Sequence, residues 1–341
     1  MSGVASTDAG VEEDAGVYQV AEFELDCGVA LRPARLAWLR YGPAPANARA
    51  VVLLLHGISG SHQALRPQVG EVFPDAGWAS PWMGQGGALD TRDTCVLVPN
   101  ALGSCFGSSG PEGAAADMFP AVTIADSVRL QASWLRELGV SHLDAVIGYS
   151  YGGYQAFEWA VAQPPFSIGR VIVLASAPRG NGVPADVRKL RDLAAGVSAR
   201  KVGAEDEWIA MRCATLQRYG YAAWLRELNV DAPEQRLRDE ARAWAQRYSP
   251  WSLAVLRQAA CRYDARMALL SSSTLVHWIR CSSDALFPPE DPSSMAEIPY
   301  PDRVRRFAVA GRFGHLSPLL EGPLWEPLLR HALDVRRQYV G

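Results

Sequence analysis

Along the chain, short apolar runs recur, each followed by residues that turn: Val51–Leu55, Cys95–Val98, Ala145–Ile147, Val171–Leu174, Leu275–Ile279 and Val304–Val309. Brief runs without polar alternation suit strands buried on both faces of a parallel sheet. Between them lie helical periods. Ala121–Leu138 puts Ile124, Val128, Gln131 and Leu135 on nearly one side, and Gly139 is placed to follow its last turn. Gly152–Gln163 reads as a second helix, stopped by Pro164 and Pro165. Ahead of this rhythm, Val17–Leu25 and Ala30–Tyr41 alternate as two extended strands of a hairpin, and residues 1–16 read as a flexible leader. The alternation predicts an α/β fold with a doubly wound, mostly parallel sheet.

Residues 180–265 break the pattern. They are rich in Arg, Ala and Leu, carry Trp208, Trp224, Trp244 and Trp251, and have few β-branched residues. We expect a helical cap there, inserted into a core formed by residues 17–179 and 266–341. Open α/β sheets bind ligands outside the carboxyl ends of their strands, so a cap at that edge would roof the site.

Gly148-Tyr149-Ser150-Tyr151-Gly152 follows one apolar run and opens a helical period. This is the strand–turn–helix setting of a nucleophile elbow, whose tight turn leaves no room for a Cβ two residues before or after the serine. A serine hydroxyl needs a base. In the chain order Ser, Asp/Glu, His, the histidine best placed is His315, in the loop after Val304–Val309. His331 falls in a helical pattern from Trp325 to Tyr339, and His277 inside a strand, so both read as packing residues. Asp284, just beyond the strand Leu275–Ile279, is the candidate to orient the imidazole; Asp291 and Asp302 are nearer His315 but sit in Pro-rich loop. An oxyanion needs two backbone N–H donors. Tyr151, following the serine, offers one. Ile58, in the turn His56-Gly57-Ile58-Ser59-Gly60, offers the other, with His56 holding that turn by hydrogen bonds rather than acting as a base.

Composition narrows the classes. The 341 residues carry a net charge of −3 and no Lys/Arg run, which disfavours a nucleic-acid or membrane-surface partner. The acidic first residues and the lack of a long apolar stretch argue against a secretory signal or a membrane span. The six cysteines form no Cys-x-x-Cys pair, so neither a metal site nor a disulfide framework is expected, and a reducing, cytoplasmic setting is the simplest.

Several segments, in order, resemble the homoserine O-acetyltransferase family of the α/β-hydrolase superfamily. They are His56-Gly57-Ile58-Ser59-Gly60-Ser61-His62; Gly86-Gly87-Ala88-Leu89-Asp90-Thr91; Val98-Pro99-Asn100-Ala101-Leu102-Gly103-Ser104-Cys105-Phe106-Gly107-Ser108-Ser109-Gly110-Pro111; and Pro120–Asp126. The elbow with Gly153–Ala160, Ser283-Asp284-Ala285-Leu286-Phe287-Pro288-Pro289, and Gly314-His315 complete the series. The likeness covers roughly residues 20–335 and is weakest over 180–265.

The resemblance implies an α/β-hydrolase fold and acyl transfer, through an acyl-serine, from acetyl-CoA or another acyl-CoA as co-substrate to an acceptor hydroxyl. No cofactor or metal would be bound, the substrates would be small molecules, and the enzyme would be a homodimer. It also points to Arg212, in Met211-Arg212, as the holder of an acceptor carboxylate, with Tyr219 seven residues on. Three positions depart from the family: Tyr151 where methionine is usual, His56-Gly57 in place of His-Ala, and Leu316 after the histidine where aspartate is typical. Because the resemblance implies that this aspartate meets the acceptor's amino group, the expected acceptor is homoserine-like or a related alcohol: one without that ammonium, or a different amino acid. A serine esterase or thioesterase with the same three residues is the alternative.

Overall fold

The computed structural model describes residues 11–66, 77–162, 166–289 and 300–334. Eight strands form one sheet: β1 (Glu13–Val20), β2 (Ala34–Tyr41), β3 (Ala50–Leu55), β4 (Thr94–Pro99), β5 (Ala145–Tyr149), β6 (Val171–Leu174), β7 (Val276–Cys281) and β8 (Val304–Val309). Their spatial order is β1-β2-β4-β3-β5-β6-β7-β8. The pairs β1/β2 and β2/β4 are antiparallel, and every later pair is parallel.

Alternation within the apolar runs explains their uniform character. Leu53 and Leu55 of β3 enter one core cluster, with α1 (Ile124–Glu137) and α2 (Tyr151–Val161). Val52 and Leu54 enter a second, on the opposite face, with Trp325 and Leu329 of the C-terminal helix Gly322–Leu333. Both sides of each central strand are covered, so polar alternation has no place there. In α1, Thr123 and Asp126 form a reciprocal capping box, and Gly139 follows the helix at φ 72°. Gln131 lies on the predicted inner face, where it bonds Gln155 at 2.6 Å and accepts from the Trp159 indole at 2.9 Å.

Two expectations at the ends of these elements need correction. Strand β1 begins at Glu13, inside the leader expected over 1–16, and residues 1–10 lie outside the described residues. The acids there suggest a solvated tail, yet the three among the described residues find partners: Glu12 and Asp14 meet Arg40 at 2.9 and 3.8 Å, and the buried Glu13 carboxylate pairs with Arg66. The hairpin is also interrupted, since Phe23–Glu24 pairs separately with Ala30–Leu31. Helix α2 ends at Val161; Pro164 and Pro165 lie outside the described residues.

Between β6 and β7 the chain runs through six helices: α3 (Pro184–Ser198), α4 (Ala204–Arg218), α5 (Tyr221–Glu227), α6 (Pro233–Ala245), α7 (Pro250–Arg262) and α8 (Arg266–Ser271). A separate cluster of Leu193, Trp208, Trp244, Tyr248 and Leu253 binds this segment together and rests on Ile58, Cys105 and Phe106. Among the described residues, no helix is long and apolar enough to cross a membrane.

Candidate active site

Four strands deliver the site from their carboxyl ends: β3 leads into His56, β5 into Ser150, β7 into Asp284 and β8 into His315. Ser150 sits at φ 55°, ψ −114°, a strained conformation for a residue with a Cβ, at the start of α2. The two glycines flanking it are required by space. A Cβ on Gly148 would lie 2.1 Å from the Gly152 carbonyl oxygen, and one on Gly152 would lie 2.1 Å from the Leu55 oxygen.

From Ser150 a hydrogen-bonded series runs inward. His315 Nε2 lies 2.8 Å from Ser150 Oγ, and His315 Nδ1 lies 2.9 Å from Asp284 Oδ2. The other oxygen of Asp284 accepts from the Leu286 N–H at 2.8 Å and the Phe287 N–H at 3.2 Å. Burial alone would raise the Asp284 carboxyl, but the adjacent imidazole and these N–H groups together hold it below its ordinary value. Asp302 is exposed elsewhere, and Asp291 lies outside the described residues.

The His315 ring is enclosed by aromatics: Tyr149 stacks on it at 5.4 Å, Tyr219 meets it edge-on at 4.7 Å, and Phe287 lies at 5.4 Å. The Tyr149 hydroxyl donates to the His315 carbonyl at 3.0 Å.

The turn after β3 passes directly beside the serine; a Cβ on Gly57 would lie 3.5 Å from Ser150 Cβ. His56 is buried and bonded on both nitrogens. Nδ1 donates to the Gly57 carbonyl at 2.8 Å, and Nε2 accepts from the Ala101 N–H at 3.0 Å. Burial pushes its pKa down to about 4. The Gly57 carbonyl also accepts from Gly60 N–H at 3.0 Å. A trans peptide points its N–H opposite its carbonyl, so these two bonds aim the Ile58 N–H away from the His56 ring. Tyr151 contributes its N–H at the first position of α2, where no carbonyl of the same helix can accept it. Its ring turns into the core, edge-on to Tyr154, which gives the unusual residue a packing role.

Arg212 and Tyr219 stand two turns apart along α4, Tyr219 being its closing residue. Both line an inner chamber of about 60 Å³ shared with Ser150, His315, Ile58 and Leu316. Both also line an outer cleft of about 390 Å³, with Trp244 behind and Lys189, Arg218, Arg257, Asp186 and Glu207 toward its rim. The Arg212 guanidinium lies 4.5 Å over the Trp244 ring.

Of the remaining histidines, His277 is fully buried and stacks on Phe307 at 5.7 Å, and the exposed His331 meets both rings edge-on at 6.3 and 6.2 Å. Sequence reasoning gave no part to Tyr149, Trp244, Tyr248 or Trp78, which also lines the inner chamber. Tyr149 had a signal, standing inside the elbow; the others are joined to the site only by contacts distant in sequence.

A family model described as alpha/beta hydrolase fold matches residues 50–319. A homoserine O-acetyltransferase of Methanocorpusculum labreanum is 41% identical over 160 residues, covering 45% of this chain and 32% of that protein. The chain spans between about a third and a half of the length of such curated relatives. Among solved structures, the homoserine O-acetyltransferase from Bacillus anthracis superposes with a TM-score of 0.76 at 19% identity, over 95% of this chain and 98% of that one. Esterase E22 superposes with a TM-score of 0.74 at 22% identity, over 95% of this chain and 100% of that one. At such identities the two superpositions speak for the fold alone.

Proposed function

The chain belongs to the α/β-hydrolase fold family, and on that premise we propose that it is an O-acyltransferase. It would carry an acyl group, acetyl first among candidates, from acyl-CoA through Ser150 to the hydroxyl of a small homoserine-like acceptor. The observation that carries this reading is the unbroken series Asp284–His315–Ser150 in a chamber that Arg212 also lines. The similarity to curated homoserine O-acetyltransferases supports the acceptor class.

The chemistry runs in two halves. Ser150 Oγ attacks the thioester carbonyl while His315 Nε2 takes its proton, and the ionised Asp284 stabilises the imidazolium. The Ile58 and Tyr151 N–H groups receive the oxyanion, each worth roughly 2.7–4 kcal/mol of barrier. The carbon–sulfur bond breaks, the thiolate takes the proton from His315, and an ester of Ser150 remains. The acceptor hydroxyl then attacks that ester, gives its proton to His315, and the proton returns to Ser150 as the new ester leaves.

Residues 180–265 act as the cap in this reading, excluding water from the acyl-serine. Arg212 suits a two-pronged hold on the acceptor carboxylate. The outer cleft suits the polyanionic body of the thioester, with Lys189, Arg218 and Arg257 near it and Asp186 and Glu207 bounding it. A cytoplasmic homodimer accompanies the proposal, and sedimentation of the purified protein tests the dimer.

The deciding experiment is incubation with acetyl-CoA, with and without homoserine or related hydroxy acids. Thiol release should require the acceptor and yield its O-acetyl ester, and Ser150→Ala should abolish both. Equal release without any acceptor would make the protein a thioesterase; transfer retained by Ser150→Ala would remove the acyl-serine.

A further inference from the structure

Tyr248 lies in the connection between α6 and α7, buried at 2% exposure. Its hydroxyl donates to the carbonyl of Ile58, a residue 190 positions earlier in the chain. Its ring stacks on Trp244, with centroids 4.8 Å apart and planes within 15°, and meets Phe106 edge-on at 5.8 Å. The other neighbour of Trp244 is the Arg212 guanidinium. One stack thus joins the cation of the chamber to the turn beside the serine. On the sheet side, the preceding carbonyl, that of Gly57, is held by His56. Ile58 therefore has both flanking peptides fastened, one from the sheet and one from the helical insertion. A turn lacks the repeated hydrogen bonds that lock peptide planes in helices and strands, so these individual bonds set where its N–H points.

We propose that Tyr248 is a positioning residue for acyl transfer: its hydroxyl fixes the Ile58 turn so that the Ile58 N–H faces the oxyanion formed at Ser150. Through Trp244, it ties that donor to the helix bearing Arg212. The proposal rests on the acyl-transfer reading above. Tyr248 touches no reacting atom. Its effect arises because an N–H already aimed at the developing charge needs no reorientation during the reaction.

Tyr248→Phe keeps both ring contacts and removes only the hydroxyl. Its kcat for acetyl-CoA should fall about tenfold, less than the roughly 10²–10³ lost when an oxyanion donor is removed outright. KM should stay within about twofold. Affinity for a boronic acid that forms a tetrahedral adduct on Ser150 should fall in parallel with kcat. Phe106→Leu loosens the same cluster but keeps the hydroxyl, so per folded molecule it should preserve rate and adduct affinity.

A Tyr248→Phe rate within twofold of the parent, a rate loss with unchanged adduct affinity, or the same loss in Phe106→Leu would each overturn the role. If Tyr248→Phe does not fold, fluorotyrosine at position 248 alters only the strength of the donor, and an unchanged rate there is equally fatal. Ser150→Ala in the same assay separates the two proposals. Turnover by that variant defeats the acyl-serine itself, whereas an inactive Ser150→Ala beside a fully active Tyr248→Phe defeats only the part given to Tyr248.

Discussion

Tyr149 holds His315 twice, through a ring stacked on the imidazole and a hydroxyl that donates to the His315 carbonyl at 3.0 Å. The residue before Ser150 thus fixes the backbone of His315. Burial keeps the Tyr149 phenol protonated by raising its pKa well above the ordinary value. Tyr149→Phe should leave the stack and strand a buried carbonyl, a loss of about 1–3 kcal/mol in stability. Urea melts of variant and parent check this, and an unchanged midpoint would refute it.

Asp284→Asn should preserve the fold and lower kcat by about 10⁴, as expected when the orienting acid no longer selects the imidazole tautomer. Because the environment holds the Asp284 carboxyl below its usual range, the parent should not lose the ionised acid in mildly acidic buffer. Single-turnover acylation rates of both proteins give the comparison.

Gly152→Ala should cost about 3 kcal/mol and eliminate labelling by a fluorophosphonate, since its Cβ would collide with backbone rather than with a movable side chain. Normal labelling of that variant would contradict the elbow geometry.

Arg212→Lys keeps the charge but loses the planar fork and its stacking on Trp244. KM for a carboxylate-bearing acceptor should rise by about tenfold or more, while acylation by acetyl-CoA changes little. Steady-state kinetics with acceptor varied at saturating donor test this.

Acid stability follows from buried histidines. Burial pushes His277 to about 4 from an ordinary 6.5, with Arg305, Arg170 and His331 adding repulsion. His56 is also lowered to about 4, again chiefly by burial. The unfolded chain takes up protons first as pH falls below about 6.5, so stability is full above that value and declines toward pH 4. His277 has no hydrogen-bond partner on either nitrogen among the described residues, and it lies flat against Phe307. His277→Phe should therefore lose less thermal stability between pH 7 and pH 5 than the parent does; an identical slope would exclude His277 as a cause.

Much of this arrangement is legible in the sequence because the sheet is buried on both faces. Each apolar run ends at its strand's end or within two residues of it, so the loops beyond, with Ser150, Asp284, His315 and the His56 turn, are marked as sharing one edge. Arg212 and Tyr219 come forward only through the family resemblance, since no local pattern singles them out. What the sequence hides is partnership. Glu12, Glu13 and Asp14 look like a solvated tail because Arg40 and Arg66, which bind them, come from other segments. Tyr248 looks like any aromatic of an Arg-rich stretch, since no local spacing ties it to Ile58.

The chain leaves β6 after Leu174, at the carboxyl edge of the sheet, and re-enters β7 at Val276 on the amino edge, because the two strands run parallel with Val171 opposite Val276. The return is made by α7 and α8, whose Val255, Leu256, Ala259, Ala260 and Leu269 join the core on the face of α1 and α2. The helices before them pair with no strand, so their length and sequence are open to drift while Ser150, Asp284 and His315 stay in register. Substrate preference in such an architecture can evolve by rewriting those helices, provided they keep their stitches to the sheet side, Tyr248 on the Ile58 carbonyl and the Tyr219 carbonyl on the Leu316 N–H.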